Sequence, residues 1–142
     1  MLLPITLTFA AACGLLNLWL AIRCARFRIK DKVMHGDAGH ALLARRMRAH
    51  ANFIEYTPIV LILSALIELA AGASIWLWVA ALAYMAARIA HAFGMDADAP
   101  TPWRAGGALL TWAITAGLAV AALAIAYGAT RALPAPPAMA QR

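Results

Sequence analysis

The chain has 142 residues, of which 65% are hydrophobic and only 13% are charged. Soluble domains contain about 45–50% apolar and about 25% charged residues, and a domain this small has too little interior to bury such an excess. The composition therefore excludes an ordinary water-soluble domain and indicates a protein whose solvent is lipid.

Uncharged runs predict where the chain crosses the membrane, because a helix needs about 20 apolar residues to span the hydrocarbon core. Residues 2–22 carry no charge and form the first predicted span. Pro4 lies in its first turn, where the missing N–H costs little.

The middle of the chain holds two further spans. Residues 59–87 contain a single charge, Glu68, and are too many for one upright helix. Gly72 can end one helix and Ser74 can cap the next, so the third helix is predicted over residues 75–94. The second helix is then too short to cross unless it begins near Ala49 or earlier. Glu68 is expected to reach the membrane interface at the far end of this second helix.

The last span covers residues 105–130, which carry no charge. The sequence thus predicts an all-α protein, a bundle of four transmembrane helices that forms a single domain over residues 1–132. The Pro- and Ala-rich residues 133–142 are predicted to be an unstructured tail.

Cations are concentrated between the first two spans. A basic run is typical of nucleic-acid binding or of a cytoplasmic membrane loop, and flanking spans favour the loop and exclude nucleic acid as a partner. The segment 23–48 is therefore predicted to be cytoplasmic, with both termini on the opposite side. Its eight basic residues are Arg23, Arg26, Arg28, Lys30, Lys32, Arg45, Arg46 and Arg48.

Polar residues follow a helical spacing where the second span begins. Arg48, Asn52 and Glu55 stand at i, i+4 and i+7, on one face of a helix, with Tyr56 beside them. In the alternative interpretation, Arg48 reaches the lipid headgroups and Glu55 pairs with an arginine of another helix. The third helix repeats the spacing with Tyr84, Arg88 and His91. Ionisable groups within spans usually face a cavity or a protein interior, so the two stripes predict a shared pocket.

The fourth helix is predicted to begin at Pro102, with Thr101 as its cap. Arg104 then stands in the first turn, where a cation is unfavourable for the helix dipole unless an anion compensates it. An interfacial arginine beside the belt residue Trp103 is the alternative. No spacing of cysteine or histidine matches a metal site, so no bound metal is predicted.

Three motifs together resemble the MAPEG superfamily, the membrane-associated proteins in eicosanoid and glutathione metabolism. The second helix carries Arg48-x-His50-x-Asn52-x-x-Glu55-Tyr56-x-Pro58, the third carries Arg88-x-x-His91, and the fourth opens with Pro102-Trp103-Arg104. The order of spans, the basic first loop and the length agree, so the resemblance covers essentially the whole chain. Within the superfamily, the chain resembles a bacterial member of the microsomal glutathione transferase type.

The resemblance implies a homotrimer that binds glutathione between subunits near the cytoplasmic side. It also implies a lipophilic cosubstrate that arrives from the bilayer. Arg104 would be catalytic, by holding the glutathione thiolate. The implied glutathione contacts are Arg48, Asn52, Glu55, Tyr56 and His91, with Arg23 and Arg26 as the two candidates from the first helix.

Two positions depart from the family pattern. Members often have a tyrosine four residues after the position of His91, where this chain has Met95, and some have serine where it has Ala105. The sequence therefore predicts a glutathione transferase or peroxidase acting on lipophilic electrophiles, with a non-catalytic lipid-binding or scaffold protein as the alternative. A small transporter with Glu55 as its acidic site is a third reading. The alanine-rich, arginine-for-lysine composition indicates a bacterium, and hence its inner membrane.

Overall fold

Four long helices make up the part of the chain that the structure, a computed structural model, describes, which is residues 2–131. They are α1 (Pro4–Lys30), α2 (Ala41–Ala71), α3 (Ile75–Gly94) and α4 (Pro102–Arg131). Each is long and apolar enough to cross a membrane, and no strand occurs among the described residues. The predicted architecture of four transmembrane helices is confirmed, and α3 has the predicted bounds. The predicted tail, residues 133–142, lies outside the described residues.

The first two helices extend well into the predicted basic loop. The first predicted span ends at residue 22, yet α1 continues to Lys30, and α2 already begins at Ala41. Arginine and lysine are good helix formers, and their long side chains reach water beyond the hydrocarbon. The first charge therefore does not end the helix. The loop predicted over residues 23–48 is wrong in extent, because only residues 31–40 are non-helical and Lys32 alone of the eight cations lies there.

The turn between α2 and α3 has the predicted glycine but lacks the predicted cap. Gly72 adopts φ 81°, a conformation that suits glycine, and its N–H donates to the Glu68 carbonyl at 2.9 Å. Ser74 occupies the N-cap position of α3, but its hydroxyl makes no capping hydrogen bond. The predicted capping role of Ser74 is therefore wrong. Pro58 lies inside α2, as its sequence position predicts.

Glu68 is buried rather than interfacial, with 1% of its surface exposed. Its Oε1 accepts a hydrogen bond from the Ile5 N–H at 2.9 Å, and its Oε2 accepts one from the Thr6 N–H at 2.7 Å. First-turn N–H groups have no acceptor within their own helix, and Leu3 supplies no side-chain cap. The Glu68 side chain, on α2, therefore caps the N-terminus of α1. The expectation that Glu68 reaches the membrane interface is wrong.

The helices pack so that α3 and α2 lie between α1 and α4, which do not contact each other within the described residues. The core is mainly apolar, and within it the Tyr84 hydroxyl lies 2.9 Å from the Thr57 hydroxyl. The Tyr84 ring also packs edge-on against Phe9, with ring centroids 5.5 Å apart. This core holds the middle of α1, α2 and α3 together.

The start of α4 lies very close to the end of α3. A Cβ added at Gly107 would lie 2.5 Å from the Ala87 carbonyl oxygen and 2.8 Å from the Cβ of His91. A Cβ at Gly94 would lie 2.8 Å from the Thr101 hydroxyl. Any larger residue at these two positions would push α3 and α4 apart. The close contact that glycine permits brings His91 beside the first turn of α4.

Candidate functional site

The polar stripe of α2 has the geometry that its spacing predicts. Nη1 of Arg48 donates a hydrogen bond to Oε1 of Glu55, with 3.0 Å between the two atoms. The residues at i and i+7 therefore meet along one face of the helix. The two side chains are 63% and 47% exposed in the single chain. Glu55 therefore pairs within its own helix, and the alternative pairing with an arginine of another helix is not found among the described residues.

Arg88 is a buried cation whose contacts are neutral. It is 2% exposed, and it donates to the Asn52 carbonyl oxygen at 2.8 Å and to the Thr111 hydroxyl at 3.3 Å. Its Nε is buried without a partner, and no carboxylate contacts its guanidinium within residues 2–131. A buried charge without an opposite charge is costly. Within residues 2–131, two neutral hydrogen-bond partners offset this cost.

Arg88 is not among the predicted glutathione ligands, although the sequence places it with His91 on the α3 stripe that is predicted to face a shared pocket. An arginine in the middle of a span, with no acid at i±3 or i±4, is the signal that could have singled it out. The structure brings it into contact with Asn52 of the α2 stripe, which joins the two predicted stripes.

His91 and Arg104 meet at the corner between α3 and α4. The Nδ1 of His91 lies 3.0 Å from the Arg104 carbonyl oxygen, and since a carbonyl only accepts, Nδ1 carries the hydrogen. Thr101 caps α4 as predicted, because its hydroxyl accepts the Arg104 N–H at 3.2 Å. The Arg104 side chain is exposed and forms no ion pair in the part of the chain that the structure describes. Its charge is therefore available to a bound anion.

These residues surround one open pocket of about 290 Å³. Arg48 and Asn52 form the wall on α2, and the α3–α4 corner with His91 and Arg104 forms the opposite wall. Four of the predicted site residues are thus brought together. The remaining lining residues are Met95, Pro100, Thr101, Ala105 and Ala108.

Four of the predicted ligands do not line this pocket, and one of them is Glu55, which pairs with Arg48 along α2. The Tyr56 hydroxyl accepts a hydrogen bond from the indole N–H of Trp112 at 2.9 Å, which links α2 to α4. Arg23 bonds the Asp96 carboxylate and the Ala92 carbonyl, and Arg26 is exposed on α1. Their role as glutathione ligands stays a prediction.

The acidic residues of the α3–α4 loop bind the basic ends of α1 and α2. Asp96 contacts both Arg23 and Arg46, and Asp98 lies 2.8 Å from Arg45. The sequence analysis did not pair these groups, although the loop is the acidic segment facing the same side as the basic one. Much of the predicted basic patch is therefore neutralised within the chain.

Taken together, four membrane-length helices define an integral membrane protein, and an open pocket lined by two arginines lies at one end of it. A family model described as the MAPEG family matches residues 6–124, and the chain belongs to this family. It is similar to the inner membrane protein YecN of Escherichia coli K12, with 30% identity over 105 residues that cover 73% of this chain and 79% of YecN. YecN of Escherichia coli O6:H1 matches to the same extent. The protein is an integral protein of the bacterial inner membrane.

Proposed function

We propose that this protein is a glutathione-dependent membrane enzyme that conjugates lipophilic electrophiles or reduces lipid hydroperoxides. One observation carries the proposal: in a chain of the MAPEG family, Arg48 and Asn52 face His91 and Arg104 across one pocket. The basic ends of α1 and α2 would lie in the cytoplasm, which places the pocket on the side where a soluble thiol is available.

The charges around the pocket suit glutathione, which carries two carboxylates, one ammonium and one thiol. Arginine guanidinium groups bind carboxylates in a fork geometry. The Glu55 carboxylate, which pairs with Arg48 and does not line the pocket in the single chain, would be the partner for the ammonium. Arg88 does not line the pocket, but its hydrogen bond to the Asn52 side chain at 2.8 Å holds that amide in the α2 wall. The volume of about 290 Å³ is at the lower end of the roughly 300–1,000 Å³ typical of small-molecule pockets.

Arg104 would supply the chemistry at the sulfur. A free thiol has a pKa of about 8.5, and a neighbouring cation lowers that pKa and raises the thiolate fraction at neutral pH. The Arg104 guanidinium has no competing carboxylate among the described residues, and it stands in the first turn of α4, whose N–H groups also favour an anion. Its role would be to hold the sulfur as the anion that attacks the electrophile.

A lipophilic cosubstrate has an apolar approach next to this turn. A groove of about 490 Å³ runs between α3 and α4, on the other side of the first turns of α4. Its walls are almost entirely apolar, and Trp103 at its edge is 69% exposed. A hydrophobic electrophile dissolved in the bilayer could enter there without crossing water.

The exposed polar face of α2 supports the homotrimer. Arg48 and Glu55 are 63% and 47% exposed in the single chain, and His50 forms a 2.8 Å hydrogen bond with Asn17 on the outer surface of α1 and α2. Such groups are costly against hydrocarbon tails. A second and third copy of the chain would cover them and would complete the wall of the pocket.

A non-catalytic lipid-binding protein is the second candidate. Met95 stands where family members often have tyrosine and Ala105 where some have serine, and both residues line the pocket. Neither side chain can donate a hydrogen bond to a sulfur or an oxygen. A protein that retains lipid through purification, binds glutathione weakly and turns over no electrophile would favour this candidate.

The test uses the purified protein in detergent. Calorimetry should detect glutathione binding, and stopped-flow absorbance should detect the thiolate. Arg104→Ala should keep binding and lose the thiolate signal, whereas Arg131→Ala, at the other end of α4, should change neither. Absence of binding at millimolar glutathione would refute the proposed function, and an unchanged thiolate signal in Arg104→Ala would refute the role of that residue.

A further inference from the structure

The carboxylate of Asp96, in the α3–α4 loop, contacts both α1 and α2. Asp96 Oδ1 accepts a hydrogen bond from Nε of Arg46 at 3.2 Å, and Oδ2 accepts one from Nη2 of Arg46 at 3.1 Å. The same Oδ2 is also bonded by Nη2 of Arg23. Two guanidinium groups, one from each of two helices, therefore converge on Asp96. Forked pairs of this kind fix geometry as well as supplying energy.

Arg23 is itself held in place by its surroundings. It donates to the Ala92 carbonyl at 3.3 Å, and its guanidinium carbon lies 4.6 Å from the centroid of the Trp19 ring. Its side chain is 11% exposed, so water screens its bond to Asp96 poorly. Asp98 differs, since its side chain is 94% exposed and its pair with Arg45 is on the surface. Exposed pairs of that kind contribute little.

The loop that Asp96 anchors continues into one wall of the pocket. Met95 and Thr101 line the pocket on either side of the anchor. Thr101 also donates to the Gly94 carbonyl at 3.2 Å, and His91 bonds the Arg104 carbonyl at 3.0 Å. These bonds join the end of α3, the loop and the first turn of α4 into one unit, so a displacement of the loop would carry Arg104 with it.

From this arrangement we infer that Asp96 is a positioning residue that sets the separation between the two walls of the pocket. Arg46 lies two residues before Arg48 on α2, and Asp96 follows Met95 at the end of α3. The Asp96–Arg46 bond therefore ties the wall that carries Arg48 to the wall that carries Arg104. The functional consequence rests on the proposed function: a thiol ligand that contacts both walls needs this separation, and the thiolate needs Arg104 at its sulfur.

The test compares Asp96→Asn with Asp98→Asn, which removes the same charge two residues further along the loop. For Asp96→Asn we expect about a tenfold rise in the Kd for glutathione, within the roughly 5–150-fold range of coupling between linked sites. We also expect less thiolate absorbance per bound glutathione at saturation, which a loss of folded protein alone would not produce. For Asp98→Asn the Kd should change less than about twofold. Equal Kd and equal thiolate amplitude in both variants would overturn the inference.

A distance measurement separates this inference from the proposed function. Spin labels at Ile54 on α2 and Leu109 on α4, both exposed, report the separation of the two helices by pulsed electron resonance without any ligand. The distance should lengthen and its distribution should broaden in Asp96→Asn but not in Asp98→Asn. If wild-type protein binds no glutathione, the proposed function fails, while the distance still tests the anchor. If Asp96→Asn does not fold, Arg46→Gln removes the α2 partner of Asp96 and should lengthen and broaden the distances in the same way. Unchanged distances in Arg46→Gln would refute the inference.

Discussion

Replacing Glu68 by glutamine should destabilise the protein at the end of the bundle that lies away from the pocket. In the native chain both carboxylate oxygens accept first-turn N–H groups of α1, at 2.9 Å from Ile5 and 2.7 Å from Thr6. Glutamine keeps one oxygen but turns an NH₂ donor toward the other N–H. One charge-assisted bond becomes neutral, and one buried N–H loses its acceptor.

The magnitude follows from these two changes. Hydrogen bonds to charged groups contribute about 1.5–3 kcal/mol, neutral ones about 0.5–1.5 kcal/mol, and an unsatisfied buried group costs about 1–3 kcal/mol. The loss of the negative charge at a helix N-terminus adds about 0.3–1 kcal/mol. Relief of the desolvation of the carboxylate offsets part of this sum. We expect a net loss of about 2 kcal/mol in the free energy of unfolding.

Equilibrium unfolding in mixed detergent micelles with increasing dodecyl sulfate measures this loss. Glu55→Gln is the matched control, because it removes the same charge from the same helix at a half-exposed ion pair with Arg48. It should lose less than about 0.5 kcal/mol. Equal losses in Glu68→Gln and Glu55→Gln would refute the capping of α1 by Glu68. Glutathione binding should be unaffected by Glu68→Gln, since the pocket lies at the other end of α2.

Two further predictions concern the packing that shapes the site. Gly107→Ala would bring a Cβ to 2.5 Å from the Ala87 carbonyl oxygen, so it should cost about 1–3 kcal/mol in the same unfolding assay. The control is Gly117→Ala on the same helix, where an added Cβ meets no atom within 4 Å, and it should stabilise the protein by about 0.5–1 kcal/mol. A change of the same sign in the two variants would contradict the close approach of α3 and α4. Tyr84→Phe removes a hydroxyl that lies 2.9 Å from Thr57, which keeps its bond to a backbone carbonyl, so we expect a loss of about 1 kcal/mol. No measurable loss in that variant would show that the buried hydroxyl contact contributes nothing.

The sequence analysis predicted well where the relevant physics is local. Membrane-spanning helices follow from the length of apolar runs, and the Arg48–Glu55 contact follows from the helical repeat alone. The turn at Gly72 and the cap at Thr101 also depend only on neighbouring residues. The loop predicted over residues 23–48 is too long because arginine and lysine are good helix formers that continue α1 beyond the predicted span.

Interactions between helices were not predictable in this way. The anchor at Asp96, the cap that Glu68 provides for α1 and the contact of Arg88 with Asn52 each join residues at least 36 positions apart. Each depends on how the helices are rotated and translated against one another, and close packing at positions such as Gly107 decides that. The sequence by itself thus determined the solvent, the four spans and the family. Only the tertiary structure decided which cations are neutralised within the chain and which, like Arg104, remain open to a ligand, because ion pairing across helices depends on distances that local periodicity does not contain.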